Sequence, residues 1–262
     1  MKRILFAALC LAALHTNARA ADTSLSAVKQ KGKLVLGLDD SFPPMGFRND
    51  DNQIVGYDID VAKEVAKRLG VQLLPQAIDW NAKEQELNTG KIDCIWNGFT
   101  ITEERKQAML FTKPYLRNAQ VVVVKKGAPY ATLASLKGKK VGLQAGSSAA
   151  GALEGAKDLR ASLKQVVEFK DNLTALMDLQ ARGVDAVVMD LILAEDNIKR
   201  SGKPYSVLGE SLAPEVFGVG FRKSDVALRD AVQGALEAMA KDGTLAQVTT
   251  KWFGSDISVV GK

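Results

Sequence analysis

Short apolar runs alternate with amphipathic stretches along most of this chain, and the alternation restricts the folds open to it. The runs are too short for helices and rich in β-branched residues, so they predict strands. Within 58–69, Ile59, Ala62 and Ala66 recur at helical spacing, and Gly70 is typical of a helix end. The pattern predicts an α/β fold with largely parallel sheets. The predicted strands are 34–38, 92–96, 120–125, 141–143, 186–189 and 216–221.

The first 20 residues have the features of a secretory signal peptide. Two basic residues precede an apolar run over 4–14, and small residues near Ala20 suit cleavage after it. The run is too short to anchor the mature protein in a bilayer. Cys10 lies inside the run, whereas a lipid-attachment cysteine follows small residues near its end. We therefore expect a signal peptide at 1–20 and a soluble, periplasmic mature protein.

Removal of that segment excludes several classes of site and partner. It takes three of the 35 Lys and Arg residues and no acid, leaving 32 bases against 30 acids and a formal charge of +2. A nucleic-acid partner thereby loses its main support. The only histidine, His15, and one of the two cysteines leave as well. A Ser-His-Asp triad, a histidine-ligated zinc and an intramolecular disulfide are excluded by counting. Cys94 alternates within an apolar run, which predicts a buried, inert thiol.

The segment 90–115 places an arginine where helix chemistry disfavours a cation. A predicted strand at 92–96 runs into a short loop, and a helix is predicted to open at Thr102 with Arg105 in its first turn. Helix N-termini favour acidic residues and bound anions. Arg105 is explained if a ligand carboxylate lies between its guanidinium and the free N–H groups. The alternative is a solvated arginine paired with a neighbouring glutamate.

Six motifs follow one another along the mature chain. They are LGLDDSFPPMGF at 36–47, GYDIDVAKEVAKRLG at 56–70, GKIDCIWNGFTITEERKQAMLFTKPY at 90–115, KGKKVGLQAGSS at 137–148, GVDAVVMD at 183–190 and DGTLAQVTTKWFG at 242–254. In this order they resemble the family 3 extracellular solute-binding proteins, the polar amino-acid binding proteins that feed bacterial ABC importers.

The resemblance implies a two-lobed periplasmic-binding-protein fold of type II, with two parallel-rich sheets flanked by helices and joined by a two-strand hinge. Lobe 1 is expected to comprise 26–119 and 219–262, and lobe 2 to comprise 126–212. The chain would cross between them near 119–125 and 213–218, where the sequence is compatible with extended structure. Ligand binding would then close the cleft by a hinge motion.

An α-amino acid enclosed in such a cleft needs a partner for its carboxylate. The resemblance assigns this group to Arg105, Thr100 and Ser148, with Ser147 beside them in the loop that begins a helix. Arginine offers a bidentate fork, and hydroxyl groups add donors. The alternative for the two serines is structural capping of that helix.

The ligand ammonium needs acceptors in the same cleft. The resemblance assigns it to Asp190, at the end of a predicted strand, and to the Gly98 carbonyl. Ligand groups in α/β proteins commonly lie beyond the carboxyl ends of strands. The alternative role for Asp190 is an N-cap for the helix that begins at Leu191.

The resemblance also implies a pocket for the ligand side chain. Phe42 and Trp80 match the family's two aromatic walls, and Asn97 is assigned to the same site, while Trp96 could face either the cleft or the core. Asp39 lies where relatives that bind basic or amide side chains often hold an acid, which favours a cationic or amide ligand. A neighbouring serine or N–H groups of the turn could satisfy Asp39 instead.

The function implied by the resemblance is capture and delivery rather than catalysis. We expect a monomeric carrier that binds a polar L-amino acid and passes it to an ABC permease, with no cofactor, metal or nucleic-acid partner. One alternative is an enzyme like cyclohexadienyl dehydratase on the same scaffold, which would need a general acid in the cleft and would discard Asp190 as the amine-binding residue. The other is a ligand-presenting partner of a chemoreceptor.

Overall fold

Helices and strands alternate along the chain, as the sequence pattern predicts. The computed structural model describes residues 22–262, and the predicted signal peptide at 1–20 lies outside them. Among the helices of the described residues, none has the length and apolar character that a membrane crossing needs. The helices are α1 (Ser24–Lys31), α2 (Tyr57–Leu69), α3 (Lys83–Asn88), α4 (Glu103–Ala108), α5 (Ser148–Gly155), α6 (Lys157–Ser162), α7 (Asn172–Ala181), α8 (Leu191–Ser201), α9 (Val226–Lys241) and α10 (Thr244–Phe253), with short 3-10 helices at Trp80–Ala82 and Leu133–Leu136.

The strands form two large sheets and one small one. They are β1 (Lys33–Leu38), β2 (Ser41–Phe42), β3 (Gly46–Arg48), β4 (Ile54–Val55), β5 (Gln72–Ala77), β6 (Cys94–Ile95), β7 (Met109–Phe111), β8 (Leu116–Lys125), β9 (Lys140–Gln144), β10 (Gln165–Phe169), β11 (Ala186–Asp190), β12 (Tyr205–Phe217) and β13 (Gly220–Arg222). The sheet orders are β5-β1-β6-β13-β7, β10-β9-β11-β8-β12 and β2-β3-β4.

Strand direction is similar in the two large sheets. In the first, β5 and β6 are parallel to β1, β13 is antiparallel to β6, and β7 is antiparallel to β13. In the second, β10 and β11 are parallel to β9, β8 is antiparallel to β11, and β12 is antiparallel to β8. Four strands of each sheet therefore share one direction. This confirms the predicted α/β fold with parallel-rich sheets, one in each of two lobes.

Apolar side chains of the helices and strands form the core around these sheets. The predicted helical face of α2 is buried, and Gly70 ends the helix in the left-handed conformation. In β8, Val121 and Val123 belong to one buried cluster and Val122 and Val124 to another, because successive side chains point to opposite faces. Burial on both faces is typical of a central strand. Cys94 is fully buried, as predicted.

The structure shortens one predicted strand and divides another. The strand predicted at 92–96 is reduced to Cys94–Ile95. The run at 216–221 is split because β12 ends at Phe217 and β13 begins at Gly220. Between them Gly218 donates its N–H to Phe99 O at 3.0 Å, and a Cβ on this glycine would lie 2.7 Å from Ile101.

Two long strands, β8 and β12, pair along the middle of the molecule. Their antiparallel register runs from Leu116 opposite Phe217 to Lys125 opposite Tyr205, with an irregularity near Ser211. The predicted hinge segments 119–125 and 213–218 lie in or beside these strands. Their role as a hinge, and the lobe boundaries at 26–119, 126–212 and 219–262, stay predictions.

Candidate functional site

Arg105 lies at the start of α4, where the two lobes meet. Thr102 Oγ1 accepts the Arg105 N–H at 3.1 Å, which caps the helix at the predicted position. The Arg105 side chain is only 9% exposed and lies over the Phe99 ring, 4.4 Å from its centroid. Its Nη1 donates to Thr100 O at 2.9 Å, and its Nη2 donates across the cleft to Gly146 O at 3.2 Å. Burial lowers the pKa of this guanidinium.

The ion pairs of residues 22–262 do not include Arg105. Glu103, which follows the cap, pairs with Lys106 instead. The interpretation of Arg105 as a solvated arginine paired with a neighbouring glutamate is therefore wrong. Arg105 is thus a buried cation that feels the charge of Glu215 but forms no direct ion pair within residues 22–262, so the position favours an anionic ligand that can pair with it.

Lys83, at the start of α3, is a second buried cation beside Arg105. It is 4% exposed, and its Nζ donates to Gly146 O at 2.8 Å and to Trp80 O at 3.3 Å. Burial, and then the charge of Arg105, lowers its pKa to about 8. Gly146 is in the left-handed conformation, and a Cβ there would lie 3.0 Å from Asn81 Oδ1. A glycine at this position therefore permits the close approach of the two lobes.

The two serines that follow Gly146 have different roles. Ser147 Oγ accepts the Ala149 N–H at 3.3 Å, so this residue caps α5. Ser148 Oγ donates to Thr100 Oγ1 at 3.1 Å across the cleft. The alternative role, capping of the helix, is therefore confirmed for Ser147. Ser148 and Thr100 instead place two hydroxyl groups close to the Arg105 guanidinium.

Asp190 ends β11 and is 5% exposed. Asp190 occupies the N-cap position of α8, as the alternative predicts, but its carboxylate makes no capping hydrogen bond to that helix. Instead Asn118 Nδ2 donates to Asp190 Oδ1 at 2.6 Å. Burial, and then the nearby Glu215 carboxylate, raises the pKa of Asp190 to about 7. The carboxylate therefore lies where a ligand cation would stabilise its ionised form.

Asp39, at the end of β1, belongs to a polar network that crosses the cleft. Its Oδ1 accepts the N–H and hydroxyl of Ser41 at 2.9 and 2.6 Å, and its Oδ2 accepts from Gln144 Nε2 at 2.7 Å. Gln144 Oε1 accepts from Asn172 Nδ2 at 2.8 Å. Asn97 Oδ1 accepts the Asp39 N–H at 3.0 Å, so Asn97 braces the loop that carries Asp39. Burial raises the pKa of Asp39.

The predicted aromatic walls are both largely buried. Trp80 packs its ring edge-on against Phe99, with centroids 5.7 Å apart. Gly98 has φ of 54°, and a Cβ on it would lie 3.0 Å from Phe42 Cε1. Trp96 is fully buried in the main apolar cluster, so the structure places it in the core.

Two cavities flank the contacts between the lobes. One, of about 380 Å³, is lined by Thr100, Arg105, Ser148 and the β12 residue Glu215, among others. The other, of about 300 Å³, is lined by Asp39 and Trp80 with neighbours from both lobes. The predicted carboxylate partners therefore line one cavity, and two of the predicted side-chain partners, Asp39 and Trp80, line the other.

The chemistry of this cleft is that of charge recognition. Residues 22–262 contain no group of three or more His, Cys, Asp or Glu side chains arranged to hold a metal ion. Arg105 and Lys83 supply buried cations, while Asp39 and Asp190 supply buried carboxylates outside the ion pairs of the described chain. Such an arrangement complements a zwitterion, because each charged group of the ligand finds an opposite charge.

The family of bacterial extracellular solute-binding proteins, family 3, matches residues 34–255. The chain belongs to this family. It is 34% identical over 238 residues to the L-cystine-binding protein TcyJ of Escherichia coli strain K12, covering 89% of this chain and 87% of that protein.

Solved structures of this family resemble the whole described fold. A substrate-binding protein of an ABC uptake transporter from Streptococcus pneumoniae, with bound histidine, gives a TM-score of 0.88 at 34% identity, covering 91% of this chain and 99% of that one. Tv2483 bound to L-arginine also gives 0.88, at 36% identity, covering 92% and 98%. The similarity confirms the family resemblance that the six motifs indicate.

Sequence reasoning missed several polar residues of the cleft. Lys83 resembles an ordinary surface lysine in a polar stretch, and Gln144 ends a strand without a local signal. Asn118, Gln120 and Glu215 are separated along the chain and come together only through the pairing of β8 with β12. The polar positions 118 and 120, two apart before an apolar run, were the available signal of a strand with one polar face.

Proposed function

We propose that this protein binds one polar L-α-amino acid in the cleft between its lobes and delivers it to an ABC permease. The observation that carries the proposal is Arg105, a buried guanidinium whose described hydrogen bonds end on two carbonyl oxygens. A ligand carboxylate is a stronger acceptor than either carbonyl and would form the direct ion pair that Arg105 lacks within residues 22–262. Family membership supports the proposal, since its matched relatives are binding proteins.

The ligand carboxylate would be held by the Arg105 fork and by the hydroxyl groups of Thr100 and Ser148, which already lie 3.1 Å apart. The ammonium would be held by Asp190, with the Gly98 carbonyl as a second acceptor. These assignments place the two charged groups of one amino acid between residues of both lobes. Binding therefore stabilises the lobes in contact, as expected for a hinged carrier.

For the ligand side chain we propose a polar, preferably cationic, group near Asp39, between Phe42 and Trp80. Similar proteins are described as binding cystine, histidine and arginine. Burial raises the pKa of Asp39, so a cation beside it would be favoured by stabilising its ionised form. Ser41 and Gln144 would keep the carboxylate oriented toward the ligand.

Export to the periplasm and delivery to a permease are part of the proposal, which the family and the predicted signal peptide at 1–20 support. A related protein is described as the substrate-binding component of an ABC uptake transporter. A docking role at a chemoreceptor would use the same ligand chemistry. An uptake assay tests delivery. It compares uptake of the identified amino acid by cells that lack this protein with uptake by the same cells after the protein is restored.

The first test is a thermal-shift screen of the refolded, ligand-stripped mature protein against the twenty L-amino acids, ornithine, citrulline, cystine and prephenate. A ligand present at 100 times its Kd stabilises the folded state by about 2.7 kcal/mol, which a thermal shift detects. We expect a shift with one or a few polar L-amino acids, followed by calorimetry for affinity. A shift with prephenate alone, together with its turnover, would replace the proposal by the dehydratase alternative.

A further inference from the structure

A second carboxylate lies beside Asp190 on the hinge strand β12. Asp190 is opposite Gln120 in the pairing of β11 with β8, and Glu215 is opposite Asn118 in the pairing of β8 with β12. Residues opposite one another, and residues two apart on one strand, project from the same face of a sheet. The side chains at 118, 120, 190 and 215 therefore share one face at the cleft.

The hydrogen bonds fix both carboxylates around one point. Asn118 Nδ2 donates to Asp190 Oδ1 at 2.6 Å and to Glu215 Oε2 at 3.2 Å, so one amide nitrogen joins the two acids. Glu215 Oε2 also accepts from Gln120 Nε2 at 3.0 Å and from Thr100 Oγ1 at 3.1 Å. These donors hold the Glu215 carboxylate in place, and the single hydroxyl proton of Thr100 would turn from Glu215 to a ligand carboxylate bound at that position.

Gln120 adds an acceptor that the described chain does not use. Its side chain is fully buried, and its Oε1 has no hydrogen-bond partner among residues 22–262. The amide cannot be reversed without cost, because Nε2 donates to Glu215 Oε2 and to Ser148 Oγ at 3.2 Å. A buried acceptor left unpaired costs free energy, so this oxygen indicates a missing donor.

We infer that Glu215 is a second acid of the ligand-ammonium site, acting with Asp190 and with the carbonyl oxygen of Gln120. An alkylammonium has three N–H donors and no acceptor, and this part of the cleft offers two carboxylates and one unpaired amide oxygen. The inference deepens the proposed function and rests on it. It assigns the recognition of a free α-ammonium to residues of both hinge strands, so that the ammonium joins the strands about which the lobes move.

The test compares Glu215→Gln with wild type, using two matched ligand pairs. The pairs are L-arginine with 5-guanidinopentanoate, and L-histidine with 3-(imidazol-4-yl)propanoate; each second member lacks only the α-ammonium. Glutamine preserves the size of the side chain and removes its charge. We expect about a 10- to 100-fold weaker affinity for the amino acid that binds wild type, and less than about a threefold change for its deaminated partner.

Glu210→Gln is the matched control, since Glu210 lies on the same strand but is exposed, and its Oε2 accepts the Leu133 N–H at 3.0 Å instead of contacting the cleft residues named above. Calorimetry measures the amino acids, and competition detected by NMR measures weakly bound analogues. Unchanged binding of the amino acid by Glu215→Gln, or equal losses for both members of a pair, overturns the inference while leaving the proposed function standing. A wild-type protein that binds no amino acid overturns both.

Discussion

Replacement of Arg105 by alanine tests the central feature of the proposed site. The guanidinium can form two charge-assisted hydrogen bonds with a ligand carboxylate, each contributing about 1.5 to 3 kcal/mol. Its burial over the Phe99 ring leaves little water to replace those bonds. We therefore expect Arg105→Ala to weaken amino-acid binding by about 3 kcal/mol or more, which is a loss of about 100-fold or more.

Isothermal titration calorimetry of the ligand-stripped protein measures this loss with L-arginine, L-histidine and L-cystine. Urea unfolding of the ligand-free variant measures separately the effect of losing the hydrogen bonds to Thr100 O and Gly146 O. Arg117→Ala is the control, because it removes a cation from an exposed position on β8. A folded Arg105→Ala protein with undiminished affinity would refute the assignment of the carboxylate site.

Three further predictions follow from the buried charges. Asp58, in the first turn of α2, is fully buried and accepts the Gly98 N–H at 2.7 Å. Burial raises its pKa from 3.8 to about 7, so the folded chain holds this proton more tightly than the unfolded chain, and the free energy of unfolding should fall as the pH rises from 3.8 to about 7. Asp58→Asn should remove that part of the slope in urea titrations. The groups that face Asp190 are Glu215, Arg105 and the side-chain amides of residues 118 and 120. Binding of a ligand ammonium favours the ionised form of Asp190. Affinity should therefore fall as the pH drops below about 7, and calorimetry of Asp190→Asn should show a weaker dependence. Finally, Lys83→Met removes a charged donor between the lobes, so X-ray scattering should show a larger radius of gyration without ligand and calorimetry about a tenfold weaker affinity. An unchanged radius would contradict this role.

Local chemistry is enough to predict much of the fold. Period and capping identify α2 with its end at Gly70 and the start of α4 after Thr102, because these features depend on residues a few positions apart. The division of the run at 216–221 was not predictable, since it arises from contacts of Gly218 with Phe99 and Ile101, which are distant in the sequence.

The residues of the candidate site also fall into some that the sequence predicts and some that only the structure reveals. Position in a motif identifies Arg105 and Asp190, and the structure adds that both are buried outside the ion pairs of the described chain. Glu215 gives no such signal, because its place beside Asp190 depends on the register of two strands that pair through β8. A one-residue change in that register would turn its side chain to the opposite face.

The contacts between the lobes suggest how the cleft selects a carboxylate. Arg105 and Lys83 both donate to one acceptor, Gly146 O. A neutral carbonyl cannot compensate two buried cations, whereas a carboxylate brings a full negative charge and two acceptor oxygens. A ligand that accepts hydrogen bonds from Arg105 and Lys83 in place of Gly146 O removes a contact between the lobes. It must replace that contact by binding to residues of both lobes. An uncharged ligand of the same shape could fill the cleft without compensating the cations. If the proposed carboxylate site is right, the contact that holds the lobes together also selects for a carboxylate.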